Sequence, residues 1–184
     1  MSQLLPPPKS FESNIVIIGM AGAGKTTVGK LCARELGWAF ADTDYLIEAA
    51  YGMDLQHVTE SMSKDEFLDI EAEHICSLDL HRAVIATGGS VVYRERSMAH
   101  LKQLGNVFFL DVPLEVILER IAMNPDRGIA IAPGQTIGDL FREREALYRK
   151  YADFRIDASG LNAQECAWLI IDSWRRNCPE TPEI

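Results

Sequence analysis

A glycine-rich run near the N-terminus has the residue types and spacing of a phosphate-binding loop. Residues 19–26 read Gly-Met-Ala-Gly-Ala-Gly-Lys-Thr, which is the pattern G-x-x-x-x-G-K-T. The run follows an apolar stretch typical of a buried strand and precedes a helical stretch over residues 27–36, which is the context that this motif requires. Backbone N–H groups of such a loop surround a phosphate group at the positive end of the helix dipole. The residues that we expect to contact a nucleotide are Gly22, Ala23, Gly24, Lys25, Thr26 and Thr27.

Two side chains of this loop carry separate chemistry. The ammonium group of Lys25 is placed to bridge the β- and γ-phosphates of ATP, and the hydroxyl group of Thr26 is placed to ligate Mg²⁺. We therefore expect ATP and Mg²⁺ to be the cofactors of this chain.

Two further groups of polar or flexible residues follow predicted strands. Asp42 and Asp44 end the second predicted strand, and Gly88 and Gly89 end the third. Ligands of open α/β sheets bind beyond the carboxyl ends of the strands, so these positions are candidates for a second binding site beside the loop. Two alternatives stay open: the aspartates could cap a helix, and the glycines could form a tight turn.

Short β-rich runs alternate with helical patterns, which predicts a parallel sheet covered on both faces by helices. The predicted strands are residues 14–18, 38–42, 83–87, 107–112 and 154–157. Ser63 and Glu66 have the spacing of a capping box, Pro113 is typical of a first helical position, and Thr136 is placed to cap another helix. Between the last two helices, residues 124–134 are rich in glycine and proline and predict a mobile lid.

Composition limits the size of the fold and the class of partner. The chain has 184 residues, of which 47% are hydrophobic, and a formal net charge of -9. We expect one domain over residues 14–176, with disordered tails over residues 1–13 and 177–184. The negative charge argues against nucleic acid or an anionic membrane as a partner, and no apolar run reaches the roughly 20 residues that span a bilayer.

The N-terminal residues and the composition predict where the protein is located and what it binds. The N-terminal residues do not show the basic and apolar regions of a secretory signal, so we expect a cytoplasmic protein. Its expected partner is a small-molecule substrate, and we expect a monomer.

The order of these motifs, together with three arginines, resembles the shikimate kinase family over nearly the whole domain. The resemblance is carried by the phosphate loop, Asp42-Thr-Asp44, Thr87-Gly-Gly-Ser90, Arg120, Arg127 and Arg144-Glu-Ala-Leu-Tyr148. It implies an α/β fold of the P-loop kinase type, with a five-stranded parallel sheet, helices on both faces and a mobile lid. It also implies an ATP-dependent kinase that phosphorylates an alcohol group of a small metabolite.

The resemblance implies catalytic roles for residues on the ATP side. Asp42 would hold Mg²⁺ through water, together with Thr26, and Asp44 would contact the reacting hydroxyl group. Arg127 would be the lid arginine on the transferred phosphate, so the implied catalytic residues are Lys25, Asp44 and Arg127. Arg120 would lie near adenine. For both of these arginines, an exposed and solvated side chain is the alternative.

The resemblance also implies an acceptor site. Gly88 and Gly89 would approach the acceptor with their backbone, Glu71 would line the site, and Arg144 would bind an acceptor carboxylate. Arg144 occupies a core-facing position in a helical stripe, where arginine is rarely buried unless it is paired. A structural ion pair is the alternative for this residue.

The chain departs from the family pattern at two positions of the acceptor site. The family pattern Phe-Arg-x-x-Glu reads Phe67-Leu-Asp-Ile-Glu71 here, so Leu68 replaces an arginine that binds the carboxylate of shikimate. The third residue of the family's triple glycine is Ser90. No comparable departure occurs at the ATP site.

These departures favour a different acceptor. If Glu71 is ionised without the arginine, it repels an anionic acceptor by ~4 kcal/mol at ~4 Å and an effective dielectric of about 20. We therefore expect a hydroxy amino acid, with Arg144 on its carboxylate and Glu71 and Asp44 on its ammonium group. L-homoserine, converted to O-phospho-L-homoserine, is the expected acceptor. The alternative is shikimate, converted to shikimate 3-phosphate, with Lys64 or Arg94 in place of the missing arginine.

Overall fold

A single parallel sheet forms the centre of the chain. We describe a computed structural model that covers residues 13–123, 129–131 and 134–177. The five strands are β1 (Asn14–Ile18), β2 (Ala39–Asp42), β3 (Ala83–Ala86), β4 (Gly105–Asp111) and β5 (Phe154–Asp157). They run parallel in the order β2-β3-β1-β4-β5. All residues of β1 and β3 are buried, which shows that both faces of the sheet are covered and confirms the predicted fold class.

Helices connect the strands. The described residues form α1 (Lys25–Leu36), α2 (Thr43–Tyr51), α3 (Leu55–Glu60), α4 (Lys64–Cys76), α5 (Glu95–Leu104), α6 (Leu114–Met123), α7 (Ile137–Tyr151) and α8 (Ala163–Asn177), with a short 3₁₀ turn at Val91–Tyr93. The Ser63–Glu66 capping box is present, and Thr136 forms a second capping box with Asp139. None of the helices in the described ranges is long and apolar enough to span a membrane.

Element ends differ from the sequence prediction by one or two residues. Strand β4 begins at Gly105 instead of residue 107, and α1 begins at Lys25 instead of residue 27. The early start of α1 has a local cause, because Gly24 adopts a left-handed conformation at φ 95° that turns the loop directly into the helix. Lys25 and Thr26 consequently occupy the first turn of α1, where the backbone N–H groups have no helical partner.

Asn14 joins the three central strands at their N-terminal ends. Its side-chain nitrogen donates hydrogen bonds to the carbonyl oxygens of Leu80 at 2.6 Å and Leu104 at 3.0 Å. Its side-chain oxygen accepts a hydrogen bond from the backbone N–H of Ala83 at 2.9 Å. Asn14 and Ala83 are both buried, so the N–H group of Ala83 has no access to water as a substitute partner.

Replacing this asparagine should destabilise the fold. We expect Asn14→Ala to lower the free energy of unfolding by about 2–4 kcal/mol, because it removes three hydrogen bonds and leaves the buried N–H group of Ala83 unsatisfied. The control is Ser13→Ala, which removes a single hydrogen bond of 3.1 Å to Asn106 at the same end of the sheet. Ser13→Ala should lower the free energy of unfolding by less than about 1 kcal/mol. Urea unfolding followed by circular dichroism measures both, and equal stabilities of the two variants would contradict the role of Asn14.

Candidate active site

One cavity of about 290 Å³ lies beyond the carboxyl ends of β1, β2 and β3 and contains most of the residues singled out in the sequence. It brings the phosphate loop together with both candidate aspartates, the glycine pair and the buried arginine. Its lining includes Gly22, Gly24, Lys25, Thr26, Thr27, Asp42, Asp44, Gly88, Gly89, Ser90 and Arg144. Residues from distant parts of the sequence therefore meet in one site next to the loop.

The phosphate loop is shaped by glycines with backbone angles that other residues rarely adopt. Gly22 has φ 83° and Gly24 has φ 95°. At Gly19 the backbone passes so close to β4 that a Cβ atom would lie 2.8 Å from the carbonyl oxygen of Leu110. Arg120 donates hydrogen bonds of 3.1 Å to the carbonyl oxygens of Gly22 and Ala23, which holds this loop from the side of α6.

The ammonium group of Lys25 lies inside the loop. It donates hydrogen bonds to the carbonyl oxygens of Gly19 at 2.7 Å and Met20 at 2.9 Å. The residue is 8% exposed, so the charge is held by the protein backbone more than by water. A buried ammonium group in a glycine-rich loop at the start of a helix is suited to a phosphate ligand.

Thr26 and Asp42 meet at the end of β2. The Thr26 hydroxyl donates a hydrogen bond of 2.7 Å to one carboxylate oxygen of Asp42. The other oxygen accepts the backbone N–H of Asp44 at 3.1 Å and caps α2. The Asp42 carboxylate therefore caps α2 and also lies next to the phosphate loop. For this residue, the helix cap and the binding-site role that the sequence left as alternatives are compatible.

Gly88 and Gly89 are required by close packing. Neither has a positive φ, which argues against the simple tight turn as the reason for glycine. A Cβ atom at Gly88 would overlap the Glu71 carboxyl oxygen Oε1 and lie 2.7 Å from Asp44 Oδ1. A Cβ atom at Gly89 would lie 3.1 Å from the Arg144 guanidinium group. The backbone of this segment is therefore enclosed by the charged side chains of the site.

Glu71 is buried on α4 and has a hydrogen-bond partner, although it lacks the arginine of the family pattern. Its Oε1 accepts a hydrogen bond of 3.0 Å from the Ser90 hydroxyl. Burial, and then the nearby carboxylate of Asp44, raise the pKa of Glu71 to about 8, against the opposing effects of Ser90, Arg144 and Lys25. The side chain is therefore mostly protonated at pH 7, because the pH lies below this pKa.

Arg144 is 1% exposed on α7, as its helical register predicts. It donates to the carbonyl oxygen of Ala130 at 2.8 Å and to the Tyr93 hydroxyl at 3.3 Å, and its guanidinium carbon lies 5.2 Å from the centre of the Tyr93 ring. These hydrogen-bond partners are neutral, which disfavours the alternative of a structural ion pair within the described part of the chain. A buried cation held by neutral groups is suited to a ligand carboxylate.

The lid prediction lies mostly outside the described residues. Arg127 falls in the undescribed range 124–128, so its role on the transferred phosphate stays a prediction. Arg120 lies at a second cavity of about 270 Å³ on the other side of the loop, which Gly22, Gly24 and Thr27 also line. Its adenine contact stays a prediction as well, although its bonds to the loop favour an ordered side chain over a solvated one.

Several site residues were not singled out by sequence reasoning. The Thr43 hydroxyl accepts the backbone N–H of Gly88 at 3.1 Å, and the Tyr148 hydroxyl donates to the carbonyl oxygen of Gly89 at 2.6 Å. Tyr93 lies against Arg144. The available signals were the position of Thr43 between two candidate aspartates and that of Tyr148 one turn after Arg144 on the same helix face.

Comparisons with known proteins agree with this geometry. The family model for shikimate kinase matches residues 21–175. The shikimate kinase of Thermodesulfovibrio yellowstonii is 42% identical over 166 residues, which cover 89% of this chain and 95% of that protein. The shikimate kinase of Caldanaerobacter subterraneus is 38% identical over 164 residues, covering 88% and 95%.

A solved structure gives the same result at the level of the fold. The shikimate kinase from Acinetobacter baumannii, in complex with shikimate, superimposes with a TM-score of 0.82 at 29% sequence identity. The alignment covers 94% of this chain and all of that one. The chain therefore belongs to the shikimate kinase family and is an ATP-dependent kinase that phosphorylates an alcohol group of a small molecule.

Proposed function

We propose that this kinase transfers the γ-phosphoryl group of ATP to a hydroxyl group of shikimate. The observation that carries this assignment is the buried guanidinium group of Arg144 in the cavity that also contains the phosphate loop and Asp44. A carboxylate of the acceptor would pair with this cation and place the acceptor between the loop and Asp44. The relatives named shikimate kinase, at 42% and 38% identity, support the same acceptor.

Each group of the site has a task in this reaction. Lys25 leaves the loop carbonyls and pairs with the phosphate oxygens of ATP, where it stabilises the charge that develops during transfer. Asp44 lies in the first turn of α2 and lines the cavity, where its carboxyl group accepts a hydrogen bond from the acceptor hydroxyl group. This contact orients the hydroxyl oxygen toward the phosphoryl group.

Thr26 and Asp42 provide a site that fits Mg²⁺. Their oxygen atoms are hard ligands in contact with each other at the edge of the loop, and Mg²⁺ in kinases is held by a few such atoms together with substrate phosphates. Bound there, the ion would neutralise negative charge on the phosphates.

The sequence-based preference for L-homoserine gains no support from the relatives, and its electrostatic premise is weakened. That preference assumes an ionised Glu71, whereas burial keeps the residue mostly protonated at pH 7. A neutral Glu71 neither repels the carboxylate of shikimate nor pairs strongly with an ammonium group. The observation that still favours an amino acid is Leu68, which is buried, apolar and unable to bind a carboxylate.

Lys64 provides a cation close to Leu68, the position at which the family pattern has an arginine. Lys64 begins α4 and lies one turn before Leu68 on the same helix face. Its ammonium nitrogen lies 4.8 Å from the centre of the Tyr93 ring, which Arg144 also contacts. Arg94, the other candidate from the sequence, instead pairs with Asp65 and Asp69 at the surface.

The phosphate-loop lysine should be needed for catalysis more than for folding. We expect Lys25→Met to lower kcat by about 100–1,000-fold, because it removes a cation from the developing charge. The melting temperature should change by less than about 4 °C, which corresponds to about 1 kcal/mol for a chain of this size. Lys102→Met is the control, since Lys102 pairs with Asp153 at the surface. A Lys25→Met protein with normal kcat would disprove the assignment of the loop.

The acceptor is tested directly with the unaltered enzyme. In a coupled assay of ADP release at pH 7, we expect kcat/KM for shikimate to exceed that for L-homoserine by at least about tenfold, or about 1.4 kcal/mol. The ammonium group of homoserine would lose water in a pocket whose Glu71 is protonated, which costs binding energy. Efficient turnover of L-homoserine with none of shikimate would overturn the proposed acceptor and leave the kinase assignment intact.

Lys64 should contribute to acceptor binding. We expect Lys64→Met to raise KM for shikimate by about 3–10-fold, because a partly exposed cation contributes about 1 kcal/mol to an anionic ligand. KM for ATP and kcat should stay within about twofold of wild type, a change below about 0.5 kcal/mol. Arg94→Met is the matched control, because Arg94 also contacts α4 but is paired with surface aspartates. If Arg94→Met raises KM for shikimate and Lys64→Met does not, Arg94 and not Lys64 contributes to acceptor binding.

A further inference from the structure

We propose that Ser90 is a positioning residue that fixes the carboxyl group of Glu71 beside Asp44 and so sets where this group lies next to the bound acceptor. The identification of this pocket as the acceptor site rests on the proposed function. The contact between Ser90 and Glu71 and its effect on charge are properties of the protein without any ligand.

The Ser90 hydroxyl is held in place by its own backbone. Ser90 precedes the 3₁₀ turn Val91–Tyr93, and its carbonyl oxygen accepts the backbone N–H of Tyr93 at 2.9 Å. Its hydroxyl donates to Glu71 Oε1 at 3.0 Å, with Ser90 5% and Glu71 1% exposed. A buried donor on an ordered backbone segment restricts where the carboxyl group that it contacts can lie.

The neighbour of Glu71 on its own helix cannot take over this task. Leu68 lies one turn earlier on the same face of α4 and is 3% exposed. Its side chain packs in the interior and has no hydrogen-bond donor. Holding the carboxyl group of Glu71 therefore depends on a donor from outside α4, and Ser90 supplies it.

The carboxyl groups of Glu71 and Asp44 both lie against the backbone of Gly88 and are therefore close to each other. Oxygen atoms of both carboxyl groups lie within contact of the place where a Gly88 Cβ atom would be. The charged or titratable groups that face Glu71 are Asp44 from α2, Arg144 from α7 and Lys25 from α1. Two carboxylates this close in a buried site repel, which favours the form in which one of them keeps its proton.

Burial makes Glu71 the carboxyl group that keeps the proton, since the pKa of Glu71 is raised to about 8. Below that pH Glu71 is mostly neutral and does not repel an anionic acceptor. Above it, Glu71 ionises, a second negative charge appears, and binding of an anionic acceptor weakens. The Ser90 hydrogen bond lowers the pKa of Glu71, because the hydroxyl donates to the ionised form.

The first experiment follows the carboxyl carbon of Glu71 by NMR in the ligand-free protein labelled with ¹³C-glutamate. Loss of one signal in Glu71→Gln assigns the residue. We expect the titration midpoint to move to higher pH in Ser90→Ala, because the donor to the ionised form is lost, and to stay at the wild-type value in Ser90→Thr. This readout is independent of the acceptor, so it holds even if shikimate proves to be the wrong substrate.

The second experiment measures kinetics between pH 6 and 9.5. At pH 7, Ser90→Ala should raise KM for shikimate by about 2–10-fold, the effect of losing one hydrogen bond to a neutral group, with KM for ATP within about twofold. Ser90→Thr should restore the wild-type values. Glu71→Gln keeps an acceptor for the Ser90 hydroxyl but cannot ionise, so its KM for shikimate should lose the rise that the wild type shows above pH 8.

Two results would overturn the role of Ser90. One is a Ser90→Ala protein whose Glu71 midpoint and KM for shikimate both equal the wild-type values. The other is an equal rise in KM for shikimate and ATP together with a lower melting temperature, which would show a general structural role. If Ser90→Thr fails to fold, the pH profile of Glu71→Gln decides, since an unchanged rise above pH 8 would exclude Glu71 as the titrating group. Absence of shikimate turnover in the wild type would instead disprove the proposed function.

Discussion

The register between β1 and β3 is the constraint on which the site depends. Ile17 is paired with Ala86, and both the backbone N–H and the hydroxyl group of Thr87 donate to the carbonyl oxygen of Ile17 at 3.2 Å. The two strands therefore end at the same level, and the segment after β3 packs against the phosphate loop, with Gly89 close to Ala21. A shift of one residue would displace the segments by about 3.3 Å and reverse the side-chain faces of a strand. The buried contacts of Asn14 at the opposite end oppose such a shift.

The acceptor pocket combines cations and carboxyl groups in a small buried space. Arg144 and Lys25 are cations with neutral oxygen partners that hold them in place, whereas Asp44 and Glu71 would repel each other if both were ionised. The family pattern resolves this conflict with an arginine beside the glutamate. Here the arginine is replaced by Leu68, and burial beside Asp44 raises the pKa of Glu71, so a proton on Glu71 relieves the conflict. The loss of the arginine is thus accompanied by a proton on Glu71, and the net charge of the pocket changes little.

The sequence predicted the fold, the phosphate loop and the strand-end residues because each leaves a local pattern. Strand β1 is a continuous apolar run, and the loop is defined by the fixed spacing of its glycines and Lys25. Glu71 was misjudged because its protonation state depends on burial and on Asp44, which approaches it from another helix. Neither the Ser90 contact nor the Tyr93 contact of Lys64 can be deduced from spacing, since each joins segments far apart in the chain.

The site also explains how a chain of net charge -9 can bind anions. Screening limits the influence of distant surface carboxylates to about 8–10 Å at physiological salt, whereas buried groups act at contact distance and are screened less. The loop offers backbone N–H groups at the start of α1, and Lys25 and Arg144 are buried beside it. Association with the substrate gains nothing from the overall field, which is repulsive, so affinity must come from these local contacts. That requirement makes each buried hydrogen bond that orients a charge in the pocket, such as the bond from Arg144 to the carbonyl oxygen of Ala130, important for anion binding.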